Sequence, residues 1–302
     1  MDPAITITAP AKINLYLGVH TQKDAEGYHR ADSVMAALEL ADTVEIEPSA
    51  DGGLAVRTEP ELGIPQERNT AWRAAVRLGE ALGRSPDVRI RIRKRIPVCA
   101  GLGGPSTDAA AVLAGLCELW GVDTADPRVE EVARSVGADV AFFLHGSPAY
   151  LSGRGDVLEE VFPALDGVPV ALVKPLEGGL STVEAYRRFD EAPAEVPELE
   201  PLLRALRAGR TDDVPEHVAN NLQDASCALE PRIAQVLCWL RGRRDVLAAD
   251  MCGSGPTCYA LCESAEAAGR IAAEAARAPE AEAAGGWWTC ATTMRGRGAT
   301  VM

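Results

Sequence analysis

Apolar and polar positions along this chain switch between a period of two and a helical period, and the switches mark out its elements. Ile5 to Thr8 and Ile13 to Val19 are β-branched or alternating runs, and Thr43 to Glu47 alternates as a half-buried strand does. "TAWRAAVRLGEALG" then reads as a helix capped by Asn69 and stopped by Gly83. "DVRIRIRKRIPV" returns to period two, with Val88, Ile90 and Ile92 on one face and arginines on the other. After a glycine-rich stretch come a helix to about Trp120 and another from about Pro127 to Val136, and then turn residues at Gly146, Pro148, Gly153 and Gly155.

The second half opens with an apolar strand, "VPVALV", near Val168. Glu191 to Pro215 is rich in Pro, Glu and Arg and reads as short helices and loops. The last third predicts a helix (Pro231 to Leu240), a strand (Val246 to Met251), a glycine turn, a strand (Thr257 to Cys262), a helix (Ser264 to Ala276) and a strand (Trp287 to Thr293). That order is the split βαβ arrangement, an antiparallel sheet with helices on one face. The expected fold is α+β in two domains, residues 1–160 and 161–302, and 302 residues suffice for both.

Composition narrows the function. Nearly half the residues are apolar and a quarter charged, as in an ordinary soluble enzyme. A net charge of −14 argues against a nucleic-acid partner, although one locally positive loop still suits a small anion. The arginine face of the basic strand reads as solvated, because no aromatic residues interleave with it. Eight cysteines lack C-x-x-C spacing or nearby zinc-like histidines, so all are expected to be reduced, mostly in the core, in a cytoplasmic protein. The N-terminal "MDPAITITAPAK" has no signal-peptide pattern and no apolar run reaches membrane-spanning length, so no membrane partner is expected.

Candidate chemistry centres on "PVCAGLGGPSTDAAA". A strand ending at Ile96-Pro97 feeds a turn containing Gly101, Leu102, Gly103 and Gly104, and a helix starts near Ser106. Glycines let the backbone approach a ligand, and a helix start offers free N–H groups at the positive end of its dipole, so the loop suits phosphate. The Ser106 and Thr107 hydroxyls suit a cap, a phosphate or, at Ser106, a metal ion. No G-K-[ST] closes the loop and the G-x-G-x-x-G spacing fails at Ser106, which excludes two familiar nucleotide loops. Read alone, the segment is equally a tight strand-to-helix connection.

The same segment resembles the phosphate loop of the GHMP kinases, "APAKINLYLGV" resembles their first motif, and "MCGSGPTCYAL" resembles their glycine-rich third motif, all in the family's order. "AKINLYLGVHTQKDAEGYHRADSVMAALELADTVEI", "GADVAFFLHGSPAYLSGRGD" and "STVEAY" resemble one branch, the 4-diphosphocytidyl-2-C-methyl-D-erythritol kinases. The resemblance implies a two-domain GHMP kinase fold with a ferredoxin-like C-terminal domain and ATP in the cleft between domains. It implies ATP with Mg2+, a CDP-linked polyol as substrate, and a monomer or homodimer.

By resemblance, Asp139 is the candidate base and Lys12 the cation beside it. Pro97, Gly101 to Gly104, Ser106 and Thr107 would hold ATP, and Asn69 would reach adenine or only cap its helix. Asn14, Tyr28, His29 and Tyr186 would line the cytidine pocket, and Gly253, Ser254 and Gly255 would face the substrate. Three departures from the branch's pattern stand out: Pro105 for glycine or alanine, Ala141 for proline, and an amide for an acid in "NNLQ" at Asn220 to Gln223. A GHMP kinase acting on another alcohol, and a nucleotide-binding homologue without catalysis, remain as alternatives.

Overall fold

The structure is a computed structural model that describes residues 4–177 and 179–302. β1 (Ile5–Lys23) and β2 (His29–Pro48) form a long antiparallel pair. The two short strands expected on either side of Pro10 are thus one strand. Proline removes a ladder N–H, and the pairing absorbs this as register shifts between Pro10 and Lys12 and between Asn14 and Tyr16. β2 runs well beyond Thr43–Glu47 because it is buried on both faces for most of its length and shows no alternation there.

β3 (Ala55–Glu59) leads through α1 (Thr70–Leu82) to β4 (Val88–Arg93), which pairs with both β3 and β2. β4 alternates buried and exposed positions as its sequence predicts, and Arg91 and Arg93 face Glu45 and Glu59 at 3.1–3.6 Å. α1 is capped by Asn69, which accepts a hydrogen bond from the Ala71 N–H at 2.9 Å, and stops at Gly83 with φ 64°. α2 (Gly104–Trp120) starts two residues before the expected Ser106. Its N-cap is Gly103, so neither Ser106 nor Thr107 caps it. α1, α2 and α3 (Pro127–Val136) share a core with β1, β2 and β4 through Leu78, Leu113, Val132, Ile7, Val44 and Ile90. β5 (Ala149–Ser152) and β6 (Val157–Val161) form a hairpin on β2.

The second half runs from β7 (Pro169–Pro175) through α4 (Thr182–Glu191), α5 (Glu200–Arg207), β8 (Ala219–Asn220), α6 (Gln223–Leu229) and α7 (Pro231–Arg241) to β9 (Val246–Met251). β10 (Cys258–Cys262), α8 (Ala265–Ala275), α9 (Pro279–Ala283), β11 (Trp287–Arg295) and β12 (Thr300–Val301) follow. The order β11-β7-β10-β9, antiparallel throughout, is the expected ferredoxin-like arrangement. α7 and α8 cover one face through Ile233, Val236 and Ile271. The other face is not solvated: Leu172, Tyr259 and Leu261 pack on Ile13 and Leu15 of β1, so all five β10 residues are buried. β11 also pairs with β2, joining both halves in one sheet, and β12 returns to pair with β1.

Among the described residues no helix is long and apolar enough to cross a membrane. All eight cysteines are free; Cys99 and Cys238 are exposed rather than in the core.

Candidate active site

The glycine loop at residues 101–104, the middle of β1 and the turn before β10 enclose a cleft of about 440 Å³ between the halves, within the usual range for a ligand site. Lys12 reaches it because of the irregularity at Pro10. With the ladder shifted, the Lys12 N–H donates to the Leu102 carbonyl at 3.0 Å, which ties β1 to the loop. The Lys12 ammonium, almost fully buried, donates to Asn14 Oδ1 at 2.7 Å and lies 3.5 Å from Asp139 Oδ2. Asn14 donates in turn to Ser33 Oγ at 2.9 Å, and the Tyr259 hydroxyl bonds the Asn14 carbonyl at 2.8 Å. Ser33 and Tyr259, which hold Asn14, are residues the sequence did not single out.

Gly101 and Gly103 both adopt φ 75°. A Cβ on Gly101 would lie 2.5 Å from the Cys252 carbonyl oxygen, and one on Gly103 would lie 2.8 Å from the Phe143 ring. Only glycine fits either place. The facing Gly253–Gly255 turn is pressed against the loop and held from behind. Asn220 Nδ2 donates to the Met251 and Gly253 carbonyls at 3.0 and 2.8 Å, and Ser226 Oγ donates to the Ser254 carbonyl at 3.1 Å. In the "NNLQ" segment the amide of Asn221 both accepts from the Val19 N–H at 2.8 Å and donates to the Val19 carbonyl at 2.9 Å. An ionised acid there cannot make the second bond, which accounts for the amide.

Beneath the start of α2, Lys94 donates to Asp42 and Asp108 at 2.5 Å each. Burial and the neighbouring Asp42 push the Asp108 carboxyl up to about 7 although Lys94 pulls it down, and the two carboxylates together raise Lys94 despite its burial. Sequence reading missed this triad, whose members are widely separated in the chain. Pro105 sits in the first turn of α2, where its missing N–H disrupts no helical bond, and its carbonyl accepts from Thr70 Oγ1 at 2.7 Å.

The other site residues divide between the cleft lining and places outside it. Pro97, Gly101 to Gly104, Ser106, Asn14, Asp139, Tyr186, Gly253 and Ser254 line the cleft with Lys12. His29 is buried just behind Tyr186, with ring centroids 5.5 Å apart. Its Nδ1 bonds the His20 carbonyl at 2.7 Å, while Nε2 lies 3.1 Å from Asp190 and has no aligned partner among the described residues. Burial pushes the Tyr186 phenol up to about 12, with the Asp139 charge adding to it. Tyr28 stands outside the lining, exposed, with the Arg154 guanidinium 4.3 Å from its ring centre. Gly255 also lies outside the lining, its carbonyl turned toward Gly101. Thr107 is fully buried, its hydroxyl without a hydrogen-bond partner among the described residues. Asn69 lines a separate hollow with Val56 and Gln66, and its side-chain oxygen serves the α1 cap.

Residues 69–147 match the family model described as GHMP kinases N terminal domain, and residues 202–281 match GHMP kinases C terminal. The 4-diphosphocytidyl-2-C-methyl-D-erythritol kinase of Rhodococcus jostii (strain RHA1) is 39% identical over 285 residues, covering 91% of this chain and 89% of the relative. The protein of the same name from Pelotomaculum thermopropionicum (strain DSM 13744 / JCM 10971 / SI) is 38% identical over 278 residues, covering 91% and 95%. A crystal structure of a 4-(cytidine 5'-diphospho)-2C-methyl-D-erythritol kinase superposes with a TM-score of 0.74 at 32% identity, covering 95% of this chain and 99% of that one.

Proposed function

This chain belongs to the GHMP kinases, in the family of the 4-diphosphocytidyl-2-C-methyl-D-erythritol kinases, and from that premise we propose that it transfers the γ-phosphate of ATP to the 2-hydroxyl of 4-diphosphocytidyl-2-C-methyl-D-erythritol. The observation that carries this reading is the Lys12–Asp139 pair, 3.5 Å apart at the mouth of the glycine loop. Phosphoryl transfer needs positioning, charge stabilisation and a group to take the hydroxyl proton. In this reading the loop backbone and the start of α2 cradle the triphosphate. Asp139 takes the proton from the 2-hydroxyl, and Lys12 offsets charge on the moving phosphoryl group. Tyr186, backed by His29, receives one face of the cytosine and Tyr28 the other.

Magnesium fits the same site. Ser106 and Asp139 offer oxygen donors at the cleft wall, and among the described residues no cluster of three metal-ligating side chains exists to hold an ion without the nucleotide. A hard cation that keeps waters and binds chiefly to phosphates suits that set, with Ser106 as its protein ligand. Bound there, it neutralises phosphate charge. We further propose that the chain works in the cytoplasm, where its eight thiols stay reduced, and that its functional lobes divide near residue 160.

The test follows ADP release with this acceptor and with several other CDP-linked alcohols. Turnover is expected with the named acceptor, and Asp139→Asn is expected to lower kcat by about 10²–10⁴-fold while ATP still binds. No turnover with any CDP-linked alcohol sinks the reading.

A further inference from the structure

The turn 24–28 between β1 and β2 carries Tyr28 on an exposed arm that no core residue holds. Its backbone is ordered from within: Asp24 Oδ1 accepts from the Glu26 and Tyr28 N–H groups at 2.9 Å each, and the Asp24 N–H donates to the Tyr28 carbonyl at 2.8 Å. These bonds shape the turn without fixing where it stands relative to the cleft. Its two ends are held by the Lys23–His29 rung of the β1–β2 ladder and by Asp190, which Lys23 and His29 approach at 2.6 and 3.1 Å, and one further side chain grips the turn itself. Arg154 donates from Nε to Asp24 Oδ2 at 2.6 Å and from Nη2 to Glu26 Oε2 at 2.8 Å, and covers the Tyr28 ring at 4.3 Å. Arg154 lines the cleft and is itself anchored to the wall: its N–H donates to Asp156 Oδ1 at 2.9 Å, and the preceding Gly153 carbonyl accepts from the Ala31 N–H at 2.8 Å.

We propose that Arg154 is a positioning residue for the acceptor site, a clasp that fastens the 24–28 turn to the cleft wall and sets the Tyr28 ring for the substrate's base. The inference rests on the reading of the acceptor as a CDP-linked alcohol. Two carboxylates already engage the one guanidinium, so the cluster carries no spare positive charge for a diphosphate, and the role assigned is holding rather than anion binding. The guanidinium is planar and stacks on one face of the phenol, leaving the other for a planar base. A point-like ammonium reproduces one ion pair and no stack.

The experiment compares wild type, Arg154→Ala, Arg154→Lys, Tyr28→Ala and the Ala double variant. Arg154→Ala should raise KM for the CDP-linked acceptor about tenfold, with kcat and KM for ATP within about twofold, because only acceptor positioning is lost. Arg154→Lys should recover only part of that loss. The double variant should be no worse than Tyr28→Ala, since both act through one ring. Raising ionic strength should weaken acceptor binding more in wild type than in Arg154→Ala, because the clasp's ion pairs are partly exposed. Additive losses, an unchanged acceptor KM or an equal rise in KM for ATP would overturn the proposal. Amide hydrogen exchange gives a readout independent of activity: the Glu26 and Tyr28 amides should exchange faster in Arg154→Ala than in wild type, and equal rates overturn the clasp. Absence of turnover by wild type overturns the function reading instead, and exchange still decides the clasp.

Discussion

Lys94 sits 2.5 Å from both Asp42 and Asp108, so one buried cation serves two carboxylates. The unequal sharing has a pH consequence. Burial and the neighbouring Asp42 carboxylate hold the Asp108 carboxyl well above the 3.8 of a free carboxyl, so between the unfolded and folded values the folded state holds more protons than the unfolded state. Its contribution is fully present below the unfolded value and is lost as pH rises through the folded one, at up to about 1.4 kcal/mol per pH unit. Urea unfolding across this range should therefore show a steeper fall in wild type than in Asp108→Asn, which keeps the Asp42–Lys94 pair. Parallel curves would assign the proton elsewhere. At the same scale the sequence pointed to Lys12 and Asp139 only through motif resemblance, because nothing local sets a strand lysine or a turn aspartate apart; the structure brings the two within 3.5 Å.

Elements whose ends are written in local chemistry were readable. α1 runs from the Asn69 cap to the Gly83 stop as expected, α3 begins at Pro127, and β9 keeps its predicted ends. Such signals act within a few residues, so no tertiary contact is needed to place them. β1 and β2 were harder: strands buried on both faces lose the alternation that announces a strand. The cap bond favours one of the two roles open to Asn69. Asn69→Ala should lower stability by about 1 kcal/mol through the α1 N-terminus and leave KM for ATP unchanged. Thermal unfolding and ATP titration of the variant check both halves, and a raised KM would return Asn69 to the adenine.

Across the whole molecule, the glycine loop of the first half meets the Gly253–Gly255 turn of the second with no room for a side chain at Gly101. Gly101→Ala should destabilise the protein by at least about 1–2 kcal/mol from its left-handed backbone alone, and more from the contact with Cys252. It should also weaken ATP binding, which calorimetry with the folded variant would measure. An unaffected variant would mean the two halves are not held in register there. The sequence by itself determined the capped helices, the order of elements in the second half and the family, because each is written in short local runs of residues, the family in three such runs in a fixed order. Tertiary structure alone decided that the β1 ladder shifts register at Pro10 and Lys12 meets Asp139, and that His29 lies behind Tyr186 while Tyr28 stands outside under Arg154. Those outcomes depend on contacts between segments tens to hundreds of residues apart, whose geometry no local pattern encodes.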